Sequence, residues 1–422
     1  MLGLLTTLVA CATARFDYTP DARAPAITSD DAYYLEYCAA SQLRLKQPFS
    51  PDIEGGAGGH AAFYLAGACR DAGAVYPVLK MCEQYTAGAE QGAGVSMDGN
   101  FRNANWVVTP GRSFFYDGGL APGERLTRSA FARMQGEAEQ LGLLDGIAFR
   151  PELYASKPAG MSDQDYRYAL SVGTDYAIGL ARGRYCARIP LSRAQMARIV
   201  RFLNAKNALY RGGTRAFDSS VFQDNCVHLP HNALAAADIW SSWPVGMFLP
   251  LAILDFPVPK NDFVNLVRRT NDLPLDDLVR LYHDPAARRL VLQYGRLPNE
   301  PGALAASYPV HTPNDIFEAN VSLIFYDAEP IGPYLNWFDG IFHDPRYTDA
   351  RANLQHFADL YAVLTAKRRP LSFWDRRVRV RDRPSFAEFY ARYYERLAAL
   401  RLDTVRGLDL HHRGAAVGEG EP

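Results

Sequence analysis

The segment DNCVHLPHNAL (224–234) places Cys226 two residues before His228 and five before His231. A cysteine beside imidazoles can ligate a metal, act as a nucleophile or fill a core. The metal interpretation is weak, because zinc sites favour Cys-x2–4-Cys or His-x3–5-His spacings and no second Cys/His cluster follows. On a helix, positions 226 and 228 would also face different ways. We therefore expect no metal and no other cofactor, and His231 is expected to face solvent.

The nucleophile interpretation requires a thiol with a lowered pKa, which a helix N-terminus and a nearby imidazole both supply. Cys226 lies where a loop rich in Asp and Asn gives way to an apolar helix. Its base must be near in space only, and His60 is the best placed of the nine histidines, because it follows two glycines and opens an apolar strand. We predict a catalytic Cys226–His60 pair; the competing interpretation is a buried thiol and a capping histidine.

A third polar group should orient the His60 imidazole through its other ring nitrogen. The apolar runs 60–69 and 75–82 are separated by the turn signal RDAGA, which predicts a hairpin of two buried strands. If that turn centres on residue 72, Gln84 lies opposite His60, and a one-residue slip replaces it with Glu83. Gln84 and Glu83 are therefore the candidates for the third catalytic position.

Donors for an oxyanion are expected in the segment that carries the nucleophile. The backbone N–H of Cys226, with the side chain of Asn225 or Gln223, could hold the negative oxygen. His228 is tied to the local backbone and is predicted to support the site rather than act as its base. If the helix begins only at Pro230, the cysteine stands off its N-terminus and gains less from the helix dipole.

The composition restricts the function classes. The chain has 422 residues, enough for two domains, and its 45 basic and 46 acidic side chains leave a formal net charge of −1. A nucleic-acid-binding protein would show a basic stripe and a high pI. We therefore expect no nucleic-acid partner.

The first fourteen residues, MLGLLTTLVACATA, contain no charged side chain. They are too few to span a bilayer as a helix, which takes about 20 residues, and they fit the apolar region of a signal peptide. Leu8-Val9-Ala10-Cys11 resembles the bacterial lipobox, in which the cysteine is lipidated. We predict a leader over 1–20, a lipid anchor on Cys11 and a place in the bacterial cell envelope facing the periplasm; the alternative is an apolar first helix of a cytosolic protein.

Export would change the state of the other cysteines. With Cys11 lipidated and Cys226 kept free, four of the six cysteines remain: Cys38, Cys69, Cys82 and Cys186. In an oxidising compartment they could form two disulfides with three possible connectivities. The alternative is four buried thiols acting as small apolar side chains.

The hydrophobic periodicity predicts an α+β fold. Beyond the hairpin, we expect helices over 30–45, 124–143 and 192–210, strands over 105–110, 113–118 and 184–191, and mostly helices after about residue 250. We assign a mixed α/β catalytic domain to 25–250, a mainly helical extension to 251–405 and a disordered tail to 406–422. The apolar segment WPVGMFLPLAIL (243–254) is expected to be a buried core helix, with an acyl-chain groove or membrane-facing lip as the alternative.

A histidine at a strand start, further strands and then an Asn-Cys that opens a helix resemble the circularly permuted papain-like thiol enzymes. That group, related to the NlpC-type peptidases, includes the lecithin:retinol acyltransferase-like proteins, whose nucleophile lies in an Asn-Cys-x-His segment, as in residues 225–228. Gly59-His60, the run 184–211 and FQDNCVHLPHNAL (222–234) resemble more closely the N-terminal periplasmic domain of Lnb-type lipoprotein acyltransferases. The likeness covers about 50–240, and the extension has no counterpart in it.

This resemblance implies an antiparallel sheet packed on helices, a Cys-His pair, a thioester acyl-enzyme, and lipid or amide substrates. The sequence thus favours a cell-envelope cysteine-dependent acyltransferase or hydrolase, with a lipid or acylated envelope substrate and a membrane surface as partners. Two alternatives remain open, a peptidoglycan cysteine endopeptidase or amidase and a non-catalytic, lipid-tethered binding module.

Overall fold

The computed structural model describes residues 12–13, 33–46, 59–86, 90–255, 257–319, 323–325 and 333–418. These residues form an α+β structure with an antiparallel sheet and a helical C-terminal region. Cys11 and the rest of the predicted leader, apart from Ala12 and Thr13, lie outside the described residues.

Ten strands lie within the described ranges, and six of them form the main sheet. The strands are β1 (Ala12–Thr13), β2 (Tyr33–Ala40), β3 (His60–Ala66), β4 (Ala68–Arg70), β5 (Leu79–Met81), β6 (Gly92–Ser96), β7 (Val107–Pro110), β8 (Arg184–Leu191), β9 (Leu304–Tyr308) and β10 (Ile324–Phe325). The main sheet has the order β7-β6-β3-β2-β8-β9, and every neighbouring pair is antiparallel. β1 pairs with β10, and β4 pairs with β5.

Strand β2 occupies the segment that the periodicity assigned to a helix over 30–45, so that prediction is wrong. β2 lies between β3 and β8, and its residues 35–40 are buried. A strand buried on both faces loses the polar–apolar alternation that would identify it, and a short apolar run then resembles a buried helix. Its tyrosines favour a strand, and the two flanking ladders decide the structure.

Strand β3 pairs with β2 and β6, so the predicted hairpin between 60–69 and 75–82 forms only at its tip. There, Ala68 lies opposite Met81 in the small β4–β5 ladder. Gly67 separates β3 from β4 with a φ of +94°, and a Cβ at this position would lie 2.4 Å from the Tyr33 ring. A non-glycine residue would be strained there, and the turn leads the chain out of the main sheet.

Helices cover both faces of the sheet and form most of the C-terminal region. They are α1 (Arg112–Asp117), α2 (Arg128–Gln140), α3 (Asp163–Ser171), α4 (Ile178–Ala181), α5 (Arg193–Arg211), α6 (His228–Ala236), α7 (Leu249–Asp255), α8 (Pro259–Asp272), α9 (Leu278–His283), α10 (Pro285–Arg289), α11 (Tyr334–His343), α12 (Pro345–Thr348), α13 (Ala350–Ala366), α14 (Leu371–Asp375) and α15 (Arg383–Gly418), with 3-10 helices at Pro151–Ser156 and Val380–Asp382 and a π-helical turn at Leu290–Tyr294. α1 replaces the strand predicted over 113–118. None of the described helices is long and apolar enough to cross a membrane.

The main core continues past the domain boundary predicted at 250/251. Phe263 in α8 and Ala305 in β9 belong to the same buried cluster as Phe63 in β3. A second cluster joins α9, α13 and α15, with Tyr361 and Phe389 among its buried members. The segment assigned to the helical extension therefore begins with elements that complete the core of residues 25–250. Residues 406–418, assigned to a disordered tail, form the end of α15, and 419–422 lie outside the described residues.

Two disulfides use the four cysteines that the sequence left for pairing. Cys38 and Cys186 lie directly opposite each other on β2 and β8. Cys69 and Cys82 close the small hairpin of β4 and β5. Of the three possible connectivities, the structure has 38–186 and 69–82, and Cys226 is the free cysteine among the described residues.

Candidate active site

His60 is the first residue of β3 and lies at one end of the main sheet. The preceding Gly59 has a φ of +78°, and a Cβ on it would lie 2.5 Å from the Ala40 carbonyl oxygen. Glycine is therefore required where the chain enters the strand beside β2. The side chain of His60 is buried, with 6% of its surface exposed.

The His60 ring is oriented by Ser96, the last residue of the neighbouring strand β6. Its Nε2 lies 2.9 Å from the Ser96 Oγ, and the Ser96 hydroxyl donates to the Thr174 carbonyl oxygen at 2.7 Å. Because that hydroxyl has one proton to give, its oxygen must accept from the imidazole. The ring proton is then on Nε2, and Nδ1 is the nitrogen that can accept a proton.

Cys226 immediately precedes the first turn of α6, and α6 packs against β3. The residue is partly exposed, and its Sγ accepts a hydrogen bond from the backbone N–H of Ala61, the residue after His60. The helix begins at His228, so Pro230 lies in the first turn, where proline is tolerated. The structure thus brings the predicted nucleophile to the peptide unit that follows the predicted base.

Electrostatics keep both groups neutral at rest. Burial raises the pKa of the Cys226 thiol, and the Ala61 N–H and the Arg182 guanidinium offset only part of that rise. Burial, followed by the charge of Arg182, lowers the pKa of His60 to about 3. The prediction that Cys226 has a lowered pKa is therefore wrong for the resting site. The raised pKa of the thiol and the lowered pKa of the imidazole do not favour a preformed thiolate–imidazolium ion pair.

A cluster of buried charged residues lies near Cys226 and His60, and it was not predicted from the sequence. Arg182 is 2% exposed, and the charges of Cys226, Asp98 and Asp175 all raise its pKa, although burial dominates and lowers it to about 10. Burial raises the pKa of Asp98, and burial followed by the Asp98 charge raises that of Asp175. Arg182 is thus the positive group that can stabilise a thiolate on Cys226.

Gln84 and Glu83 are not the third group. Gln84 is exposed in the turn after β5 with a φ of +54°, and Glu83 is exposed and pairs with Lys80 at 3.1 Å. The error follows from the strand pairing: β6, not 75–82, lies beside β3. Extending the observed register of Ala62 opposite Ser96 by two residues puts Asp98 across from His60. Had β6 been paired with β3, the polar residues Ser96 and Asp98 of GAGVSMD (92–98) would have been predicted to lie near His60.

The two side chains predicted to hold the oxyanion are committed to loop structure. The Asn225 amide donates to the carbonyl oxygens of Val221 and Pro257, and its Oδ1 accepts from the N–H of Val227 at 2.8 Å. The Gln223 amide donates to the Met247 carbonyl at 2.9 Å. Backbone donors remain, and the N–H groups of Cys226 and Ala61, both directed at the sulfur, are the candidates.

The two histidines beside Cys226 have structural environments. His228 Nδ1 lies 3.0 Å from the Asn225 Oδ1, and burial lowers the pKa of His228 to about 4, in keeping with a supporting residue. His231 is 1% exposed, so the expectation that it faces solvent is wrong. Its Nδ1 lies 3.0 Å from Asp262, its Nε2 lies 2.8 Å from the Ser241 carbonyl, and its ring stacks on Trp243.

Metal-ligating side chains do not gather around Cys226 in the described part of the chain. The group that comes close enough there to hold an ion is Glu36, Cys38 and Cys186. A disulfide joins the two cysteines of that group, which leaves no thiolate to act as a ligand. Both ring nitrogens of His231 already have hydrogen-bonding partners.

Comparisons with family models, with curated proteins and with solved structures found no match to this chain. The functional assignment therefore depends on the geometry and chemistry of the site.

Proposed function

We propose that this chain is a cysteine-dependent acyltransferase or hydrolase of the cell envelope that acts on a lipid or acylated substrate through a thioester. The observation that carries the proposal is the contact of the partly exposed Cys226 sulfur with the Ala61 N–H, one residue after the buried His60. A nucleophile at the start of a helix and a base at the end of a packed strand match the two roles that thiol acyl transfer needs.

A circularly permuted papain-like arrangement is part of the proposal. The strand with the base precedes the helix with the nucleophile in the chain, and that helix packs against that strand. Ser96 occupies the position that orients the imidazole, in place of the glutamine or glutamate that the sequence suggested. These features support a permuted thiol-enzyme site.

The chemistry proceeds in two balanced steps. In the first, His60 Nδ1 takes the proton from the Cys226 thiol, the sulfur attacks the acyl carbonyl carbon, and the carbon–oxygen or carbon–nitrogen bond to the leaving group breaks. The imidazolium returns the proton to the departing alcohol or amine, which leaves a thioester on Cys226. In the second, water or an acceptor alcohol or amine loses a proton to His60, and its oxygen or nitrogen attacks the thioester carbonyl carbon. The carbon–sulfur bond breaks, the acyl group leaves on the acceptor, and the imidazolium returns its proton to the Cys226 sulfur to regenerate the thiol.

Arg182 and the backbone donors lower the free energy of the charged states on this route. The guanidinium faces a negative charge on the sulfur, and N–H groups beside the sulfur can bond the oxyanion, which is the largest contribution in many acyl-transfer sites. Arg182 is held by the carbonyl oxygens of Ser41 and Gly173, so it is positioned before substrate arrives.

The two disulfides support a place outside the cytosol, because such bonds persist in oxidising compartments. With a leader over 1–20 and a lipid on Cys11, the protein would be anchored to the membrane and face the periplasm. Its substrates would then be envelope lipids or acylated proteins.

Activity-probe labelling tests the assignment. In a Cys11→Ala background, a thiol-directed acylating probe at neutral pH should label the protein at Cys226, and Cys226→Ala should abolish the adduct. His60→Ala should slow labelling by about a hundredfold or more, since general-base assistance contributes that much. The control is His343→Ala, because this histidine is 66% exposed and lies on α11, outside the site.

Labelling that survives Cys226→Ala, or that is equally fast with and without the His60 imidazole, would refute the proposal that this chain is a cysteine-dependent enzyme. Turnover of a peptidoglycan stem peptide, with none of an acyl ester or phospholipid, would replace acyl chemistry with the peptidase alternative. Circular dichroism of each variant checks that the fold is retained.

A further inference from the structure

The segment 243–254 was expected to form a buried core helix, and the structure exposes most of it. It contains no ionisable side chain. Its large apolar side chains point to solvent: Phe248 is 71% exposed, Leu251 55% and Leu254 72%. Val245 and Leu249 are exposed as well. Contiguous exposed apolar side chains on one short segment mark an interaction surface rather than ordinary surface scatter. We call residues 244–254 the apolar lip.

The apolar lip is joined to the loop that carries the nucleophile. The Gly246 N–H donates to the Gln223 carbonyl oxygen at 2.9 Å, and the Gln223 side chain donates to the Met247 carbonyl oxygen at 2.9 Å. Beyond the lip, the Pro257 carbonyl oxygen accepts from the Asn225 amide at 2.9 Å. Gln223 and Asn225, which do not serve as free oxyanion donors, thus fix the lip beside Cys226.

A cavity lined in part by arginines adjoins the other end of the apolar lip. Leu254 lines an open cavity of about 480 Å³. Three arginines, Arg268, Arg269 and Arg280, line the same cavity with two carboxylates, Asp255 and Asp272, and Arg280 is exposed. Arg268 pairs with Asp272 at 3.5 Å and Arg269 pairs with Asp284 at 2.9 Å, so the exposed Arg280 is the guanidinium of this cavity that can meet a lipid phosphate. Apolar side chains beside an exposed guanidinium match the chemistry of an anionic phospholipid surface, where acyl chains lie next to phosphate groups.

We propose that the apolar lip inserts into the interface of an anionic phospholipid bilayer and holds the Cys226 loop at the membrane surface. A protein partner is less well matched, because the side chains of 244–254 offer no charge and no hydrogen-bond donor for specific pairing. In naming the bilayer as the source of acyl substrate, the inference rests on the proposed function. The contact is separate from the lipid predicted on Cys11.

Vesicle binding tests the lip directly. The full chain with Cys11→Ala is sedimented with vesicles of phosphatidylglycerol and phosphatidylethanolamine, and with vesicles of phosphatidylcholine alone. We expect binding to the anionic vesicles and a loss of about tenfold or more in the variant Phe248→Asp/Leu251→Asp/Leu254→Asp, since each aspartate puts a charge where an apolar side chain enters the lipid.

The matched control is Leu402→Asp/Val405→Asp. These side chains are 60% and 50% exposed on α15, outside the lip, and the variant should bind vesicles as the parent does. Unchanged binding by the lip variant, or an equal loss by the control, would overturn the inference. A parent that is a dimer in solution and becomes a monomer only in the lip variant would assign the surface to a second copy of the chain instead.

The same samples separate this inference from the proposed enzyme. A soluble thiol-directed probe should label Cys226 equally in the parent and the lip variant, because the substitutions leave Gln223 and Asn225 in place. A parent that binds vesicles through the lip but lacks His60-dependent labelling would support the membrane contact and refute the enzyme. Labelling without lip-dependent binding would support the enzyme and refute the contact.

Discussion

Two buried carboxyl groups, one on the main sheet and one in a turn outside its strands, have opposite environments. Glu36, in the middle of β2, accepts from both terminal nitrogens of Arg112 and lies 3.5 Å from Arg188. These arginines lower the pKa of Glu36 to about 2 against the opposing effect of burial. Asp175, at the end of the sheet near His60, is equally buried, yet neither of its oxygens has a hydrogen bond of ordinary geometry. Its pKa is raised, because burial and Asp98 outweigh the nearby hydroxyls of Ser171 and Ser96.

Glu36 is a buried charge whose partners stabilise the fold, whereas Asp175 is a buried carboxyl group without such partners. A buried ion with all its partners is a common way to hold strands in one arrangement, whereas unsatisfied buried polar groups are rare and concentrate where function requires them. Asp175 is a carboxyl group of the second kind and lies near the proposed site, although buried unsatisfied side-chain atoms also occur at Asn105, Asn261 and Asn299. The contrast between Glu36 and Asp175 therefore supports the proposed site.

Removing the paired carboxylate should have the largest effect. Glu36→Gln leaves Arg112 and Arg188 without their anion, and breaking a buried ion pair costs about 3–5 kcal/mol. We expect a loss of that size in the free energy of unfolding, measured by urea denaturation at pH 7. The exposed pair Glu388–Arg392 on α15 provides the control, and Glu388→Gln should change stability by less than about 0.5 kcal/mol. Equal effects of the two substitutions would contradict a structural role for Glu36.

The pH dependence of stability should distinguish the two regions next. His60 has a folded pKa of about 3, below the unfolded value of about 6.5, so the unfolded chain binds the extra proton and stability is lost as pH falls through this window. Between pH 6.5 and 5 the loss is about 2 kcal/mol. Glu36, with a folded pKa of about 2, keeps its contribution above about pH 4.5 and loses it as pH falls further.

The measurement compares urea unfolding of the parent and His60→Asn at pH 6.5 and at pH 5. The parent and the variant must be compared because other groups also change stability over this pH interval. Asp98 and Asp175, whose pKa values are raised, increase stability as pH falls, and His228, whose pKa is lowered, decreases it. If the asparagine variant lost as much stability as the parent over this interval, His60 would be protonated in the fold and could not be the base.

Local patterns predicted some elements well. The strand over 184–191 is observed with these bounds, and the helix that follows is capped as expected. Ser192 accepts from the Gln195 N–H, and the Gln195 side chain accepts from the Ser192 N–H, which is a complete capping box within four residues. Signals of this kind are contained in the segment itself, so sequence alone identifies them.

Non-local pairing limited what the sequence could predict of the site. Cys226 and His60 could be proposed from their own neighbourhoods, but the side chain that contacts His60 depends on which strand lies beside β3. The chain between β3 and β6 includes the separate β4–β5 ladder, and Gly67 redirects the chain there, so the nearest apolar run in sequence is the wrong partner. Arg182 and Asp175 come from a further segment, and only the folded sheet end brings them to Cys226.

Ser96→Ala should have a smaller effect, on activity rather than stability. Without the hydroxyl, His60 loses the contact that fixes its tautomer and angle, and we expect labelling of Cys226 to slow by about tenfold. Ser96→Thr keeps a hydroxyl and should recover part of the rate, and the free energy of unfolding should fall by about 1 kcal/mol or less in the alanine variant. A full rate in Ser96→Ala would remove Ser96 from the site as a positioning residue.

Asp175→Asn should give the smallest change and the opposite sign to Glu36→Gln. Because the folded pKa of Asp175 is raised, the carboxyl group destabilises the fold at neutral pH, where the unfolded chain is ionised. A neutral amide of the same shape removes that cost, although Arg182 loses a favourable charge, so we expect a net gain of about 1 kcal/mol at pH 7. The gain should shrink toward pH 4, where the unfolded carboxyl group also holds its proton. A loss of about 3 kcal/mol on urea unfolding would mean that Asp175 is an ionised, paired carboxylate like Glu36, and the distinction between the two carboxyl groups would fail.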